Sequence, residues 1–168
     1  MMARCVEVID ESGSGSSVEA VSGLVESVLK AEDVEGGVTV AFVEEPVIAE
    51  LNLRYRGVDG STDVLSFQED GGGGEWPGDP TSGADGCGNA GVTRELGEVL
   101  VCPAVVRRYA AEEGQEPSRQ MAWTIIHGVL HLLGYDHEAD KGEMREREQA
   151  LLAVLYSKTP LLLADVRG

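Results

Sequence analysis

The segment from Ser118 to Leu133 constrains this chain more than any other. It has helical character and is apolar nearly all round: Trp123, Ile125, Ile126, Val129, Leu130, Leu132 and Leu133 leave no polar face. A helix of that kind belongs in the interior of a fold. Yet it carries His127 and His131, two of the three histidines in the chain. Spaced i and i+4, they share one helical face and their rings can converge. The expectation is that they line the floor of a cleft. Gly134 allows the left-handed turn that ends a helix, and the reversed chain can then return His137 to the same point. Three neutral imidazoles meeting in this way form a zinc site with an open fourth position, the arrangement of catalytic rather than structural zinc. Burial keeps imidazole neutral, the state a metal requires.

The spacing is similar to the elongated zinc motif of metzincin proteases. One position departs from it. Those proteases place a glutamate, the general base, directly after the first histidine, whereas Gly128 stands there here. The segment can hold metal but lacks the usual peptidase base.

At 168 residues the chain fits one domain with a substantial core. Its N-terminus has no apolar run of signal-peptide length, and no stretch approaches the roughly 20 apolar residues of a membrane helix. A soluble, cytoplasmic protein with no membrane association is expected. Cys5, Cys87 and Cys102 are odd in number and widely spaced. That suits neither a disulfide framework nor a CxxC site, so two small buried residues and one loop thiol are expected. The net charge is −17, with 13 basic residues against 30 acidic. Phosphate partners usually call for clustered Lys and Arg, so a free nucleic acid is expected to bind weakly. A local cluster including Arg54, Arg56, Arg107 and Arg108, or a protein partner, would then supply specificity. Two explanations of the charge compete, an acidic surface that serves solubility, as in a salt-rich cytoplasm, and a partner that is not an anion, and the first is the expectation.

Hydrophobic periodicity places the remaining elements. Strands are expected at Val6–Asp10, Val38–Val43, Val64–Phe67 and Leu96–Cys102. Helices are expected at Val18–Ala31, Val47–Tyr55, from Pro103 to about Glu113, Ser118–Leu133, and Lys141 to about Tyr156. From about 70 to 91 the chain is glycine-rich and cannot bury enough apolar area to offset its ordering entropy. It reads as a mobile loop between two strands, a neutral insertion rather than a lid, because long loops cost little. The charged stretch Glu138–Glu148 reads as a solvated helix face with pairs such as Glu143 and Arg147.

The stretch from His127 to His137 resembles the signature of the YbeY family of bacterial metallo-endoribonucleases, which act in ribosomal RNA maturation. Two further blocks agree: Leu51–Phe67, with Tyr55-Arg56-Gly57 and Thr62-Asp63-Val64-Leu65-Ser66-Phe67, and Leu96–Pro103. The similarity covers nearly the whole chain apart from the glycine-rich tract. It implies an α/β (α+β) fold: a single domain over 1–168, a mixed, mostly parallel four-stranded sheet with surrounding helices, and a zincin-like metal-site helix. It implies one Zn2+ per chain on His127, His131 and His137, and Arg56 in the active-site cleft. By position alone Arg56 reads as a helix-end cation favourable to the dipole. Two features depart from the family pattern. Gln68 stands where the family usually has proline, and the tract that follows is longer than usual.

A zinc ion on three histidines lowers the pKa of its water toward ~7 and polarises a phosphoryl oxygen. A guanidinium such as Arg56 bonds two phosphate oxygens and never deprotonates. The function implied is zinc-dependent, single-strand-specific endoribonuclease activity in 16S ribosomal RNA maturation and ribosome quality control. The expected partners are single-stranded and ribosomal RNA, with ribosomal proteins or ribosome-associated factors as further candidates. No general base is assigned among Asp63, Glu98 and Asp136. The alternatives are a metallopeptidase-like hydrolase and a metal-containing ribosome-assembly factor that binds without cutting.

Overall fold

Four strands lie side by side in the order β1-β2-β4-β3. They are β1 (Arg4–Asp10), β2 (Gly36–Phe42), β3 (Val64–Gln68) and β4 (Glu95–Val101). This computed structural model describes residues 4–11, 18–68, 95–135 and 142–156. The 70–91 tract, expected as a mobile loop, lies outside them, and so does His137. β1 runs parallel to β2, and β2 parallel to β4, while β3 pairs antiparallel to β4 and forms one edge. Five helices complete the described fold: α1 (Val18–Ala31), α2 (Glu45–Arg56), α3 (Pro103–Glu113), α4 (Pro117–Leu132) and α5 (Glu143–Leu155). This is the α/β architecture, with a mixed and mostly parallel sheet, that the sequence implied. α1 and α3 match their expected spans, and the boundaries of the other elements shift by no more than two residues.

The pleat sorts the core into two layers. Along β2, Val38, Val40 and Phe42 join one apolar cluster, while Ala41, and Val43 just beyond, join the other. Along β4, Val99 and Val101 join the first, and Leu100 the second. Alternate side chains on a strand point to opposite faces, so a sheet buried on both sides must be apolar at successive positions. β2 is buried at all seven positions for that reason. The first cluster gathers α1, α4 and α5, and the second gathers α2. α3 supplies Val106 to the first and Val105 to the second.

α4 takes the interior place its composition requires. Met121, Ile125, Ile126, Val129 and Leu130 are all 0% exposed. Each such side chain contributes about 1.5–3 kcal/mol on burial, so core packing sets the rotation of α4 about its axis. The histidines inherit that rotation. Gly128 lies against the sheet, where an added Cβ would sit 2.7 Å from Val99 Cγ1 and 3.1 Å from Val64 Cγ2. The Ser66 hydroxyl on β3 donates to the Gly128 carbonyl at 2.9 Å. Glycine here lets the helix approach the edge strand closely.

The cysteine reading needs one correction. Cys102 is buried and free, but Cys5 on β1 is disulfide-bonded. Spacing along a chain does not reveal which thiols the fold brings together.

Candidate active-site cleft

A cleft of about 670 Å³ opens between the edge strand β3, the C-terminal end of α2 and the C-terminal half of α4. Arg56, His127 and His131 all line it. The placement of each follows from local structure. α2 ends at Gly57, whose φ of 70° is left-handed, with its amide donating to the Leu53 carbonyl at 3.0 Å. That stop presents Arg56, the last helical residue, at the cleft. α4 ends at Leu132, and Gly134 follows with a φ of 103°. The left-handed bend expected at Gly134 is therefore present, directly after the two histidines.

The two imidazoles are held from behind. Their centroids lie 4.7 Å apart at an interplanar angle of 80°. His131 Nδ1 is 3.1 Å from the Tyr135 carbonyl oxygen. His127 Nδ1 makes a short hydrogen bond to Glu148 Oε2 on α5, and the Trp123 indole stacks on the same ring at 5.0 Å. A carbonyl and a carboxylate can only accept. Each Nδ1 must therefore carry the proton and donate it. In the neutral ring Nε2 is then the unprotonated, accepting nitrogen. Metal-ligating histidines show this same division of labour between their two nitrogens. The pair thus fits a metal ion in tautomer, spacing and support. Among the described residues no group of three His, Cys, Asp or Glu side chains converges on a metal position. The third expected ligand, His137, lies outside them.

Asp63, one residue before β3, is a second acidic group close to this site. Thr124 Oγ1 donates to Asp63 Oδ2 at 3.5 Å, and Thr62 Oγ1 to Oδ1 at 3.3 Å. Burial pushes its carboxyl above the usual aspartate range, against the opposing pull of backbone hydrogen bonding, the nearby His127 and the two threonines. The Asp63 carbonyl also accepts from the Cys102 amide at 3.0 Å, so the residue helps to orient the entry to β3.

Three residues matter more than the sequence suggested. Glu148 was read as part of a solvated face, yet it is only 5% exposed and grips His127. A signal for this was present: Met144, Glu148, Leu151 and Leu152 make the buried stripe of α5, and an acid at an apolar-stripe position is out of place unless paired. Arg147, expected to pair locally with Glu143, reaches across to Glu32 and to the Ala31 carbonyl at the end of α1. Glu32 in turn accepts from the Tyr135 hydroxyl at 2.7 Å. Gln68 closes the other side, its amide donating to the carbonyls of His131 at 3.2 Å and Leu132 at 3.3 Å. The expected arginine cluster is partly neutralised. Arg108 pairs with Glu45 at 2.7 Å and Arg54 with Glu50 at 3.4 Å. The hydrogen bond from Arg108 holds the Glu45 carboxyl below its ordinary value.

The sequence profile of the family described as endoribonuclease YbeY matches residues 8–156. This chain belongs to that family. A Chloroflexus aggregans protein named endoribonuclease YbeY is 36% identical over 159 residues, covering 92% of this chain and 97% of the relative. A Pelotomaculum thermopropionicum protein of the same name is 39% identical over 147 residues, covering 82% and 88%. A solution structure of a Thermotoga maritima protein is similar at a TM-score of 0.60 with 28% identity, covering 91% of this chain and 90% of that one. The YbeY relatives thus align across the cleft-forming elements β3, α2 and α4, and the shared fold extends over nearly the whole chain. No helix among the described residues is long and apolar enough to cross a membrane.

Proposed function

We propose that this YbeY-family chain is a zinc-dependent endoribonuclease that cleaves single-stranded RNA, in the setting of 16S ribosomal RNA maturation and ribosome quality control. His127, His131 and His137 would hold the metal, and Arg56 would contact the scissile phosphate. The observation that carries the reading is the shared cleft. Two histidines whose Nδ1 atoms are held by Glu148 and by the Tyr135 carbonyl line the same space as the arginine at the end of α2. The relatives named as endoribonucleases, similar over most of their length, supply the substrate class.

When bound, zinc supplies a Lewis acid that favours ionisation of a water and polarises a phosphoryl oxygen. The chain's own residues do the rest. Hydrolysis of a phosphodiester adds negative charge to the non-bridging oxygens in the transition state. The Arg56 guanidinium offers a planar fork of N–H donors to that charge, a stabilisation preorganised by the α2 stop. Glu148 and the Tyr135 carbonyl keep the two rings turned in the ligating orientation. β3 presents Ser66, Phe67 and Gln68 along one wall, where an extended single strand could lie. The peptidase alternative loses ground at Gly128, because position 128 has no side chain to act as base and an added Cβ would crowd Val99, Val64 and Ser66 of the sheet.

The test is cleavage of a single-stranded RNA oligomer by metal-analysed protein, with and without chelator. Arg56→Ala should reduce cleavage about 100–1,000-fold, in the range seen for loss of one transition-state donor, while leaving zinc content unchanged. Equal activity in the variant would remove Arg56 from the mechanism. RNA binding without cleavage by zinc-loaded protein would favour the assembly-factor alternative.

A further inference from the structure

The structure assigns a role to Glu148 that no motif in the chain announced: it is the positioning residue that fixes the tautomer and ring angle of His127 for metal binding. This rests on the metal-site reading above and deepens it.

Three observations converge on Glu148. It is the one acid in the buried stripe of α5, between Met144 and the Leu151–Leu152 pair. Its side chain is 7% exposed, and its Oε2 bonds directly to His127 Nδ1. A carboxylate in such a place is costly unless hydrogen-bonded, and the imidazole N–H supplies the bond. α5 is itself pinned at this turn. Arg147 ties it to Glu32 and to the Ala31 carbonyl of α1, so the carboxylate is delivered by a braced helix rather than a free surface arm. The stacked Trp123 indole closes one face of the ring. Together these leave His127 one way to sit.

The consequence is chemical. An imidazole in water prefers its proton on Nε2, the nitrogen a metal needs unprotonated here. Donation of Nδ1–H to Glu148 reverses that preference before any metal arrives. It also raises the electron density that Nε2 offers to a cation. His131 obtains the same tautomer from a neutral backbone carbonyl, so the two rings are held by different means, and only His127 depends on a removable charge.

The experiment reads the tautomer directly. Nitrogen-15 imidazole spectra of metal-free protein at about pH 9, well above the reference imidazole pKa, should show His127 as the Nδ1–H form in the wild type. Glu148→Met, close in shape but unable to accept, should move it toward Nε2–H and leave His131 unchanged. Glu148→Gln, which keeps an acceptor oxygen, should retain Nδ1–H. By chelator competition, zinc affinity should fall about 10–100-fold in Glu148→Met, the scale for outer partners of metal ligands, and by less in Glu148→Gln. Amide spectra establish that each variant is folded. If Glu148→Met unfolds, Glu148→Gln still decides, since loss of Nδ1–H with the acceptor retained overturns the role. An unchanged His127 tautomer in folded Glu148→Met also overturns it. Failure of the metal reading looks different: wild-type protein would bind no zinc while the tautomer still followed residue 148.

Discussion

Gly128 separates this chain from a protease at the level of one side chain. The position follows the first histidine, where a peptidase carries its base, but here the direction of a Cβ from residue 128 leads into Val99, Val64 and the Ser66 hydroxyl. Gly128→Glu should therefore not create a peptidase. It should crowd a packed contact and bury an unpaired carboxylate, lowering stability by about 3 kcal/mol or more. Thermal melts and a fluorogenic peptide assay check both parts; a stable variant that cleaves peptide would contradict this packing. Asp63 supports a pH prediction. Its carboxyl is raised by burial, so the folded state binds the proton more tightly than the unfolded chain. The associated stability is fully present below the unfolded aspartate value and is lost as pH rises through the raised folded value. Asp63→Asn mimics the protonated form and should remove that decline. Urea unfolding of metal-free protein at about pH 4 and about pH 7 should show a smaller difference in the variant than in the wild type.

At the level of elements, the cleft is the seam between the edge strand and the histidine helix. Two side chains of β3 stitch it: Ser66 to the Gly128 carbonyl, and Gln68 to the last carbonyls of α4. The terminal carbonyls of a helix have no intrahelical partner, so Gln68 acts as a cap supplied from another element. Gln68→Ala should cost about 0.5–1.5 kcal/mol and speed amide exchange in the bend that follows His131. Unchanged exchange would remove the cap from the account. Most elements were legible because their signals are local. α1 and α3 match the expected spans, with the periodicity of α1 and Pro103 at the start of α3 marking them. α5 was legible as a helix but not in its orientation. Its stripe of Met144, Glu148, Leu151 and Leu152 mixes an acid with apolar residues, and only the position of His127 across the interface explains the acid.

Across the whole molecule, charge is the dominant feature. A net charge of −17 on 168 residues repels itself, and ion pairs such as Arg54 with Glu50 relieve little of this because they are exposed and weak. Screening should help. Raising KCl from ~0.1 to ~1 M shortens the Debye length from ~10 to ~3 Å, and the unfolding midpoint should rise with it. A flat or falling midpoint would show that self-repulsion is not a significant cost. The same charge argues that generic RNA is held weakly and that the proposed role of Arg56 is confined to the cleft it lines. With Arg54 and Arg108 each facing a glutamate, the broad basic surface expected of a general RNA binder is not built from these residues.

Read alone, the sequence determined that a buried helix would present His127 and His131 together, that Gly134 would turn the chain after them, and that strands and helices would alternate along the chain. These follow from periodicity and backbone freedom, which act over a few residues. The tertiary structure decided what stands behind the histidines. Glu148 lies 21 residues from His127, and Gln68 lies 63 from His131. Contacts at such separations form only when packing brings distant elements together, and no local pattern encodes which acid will meet which ring.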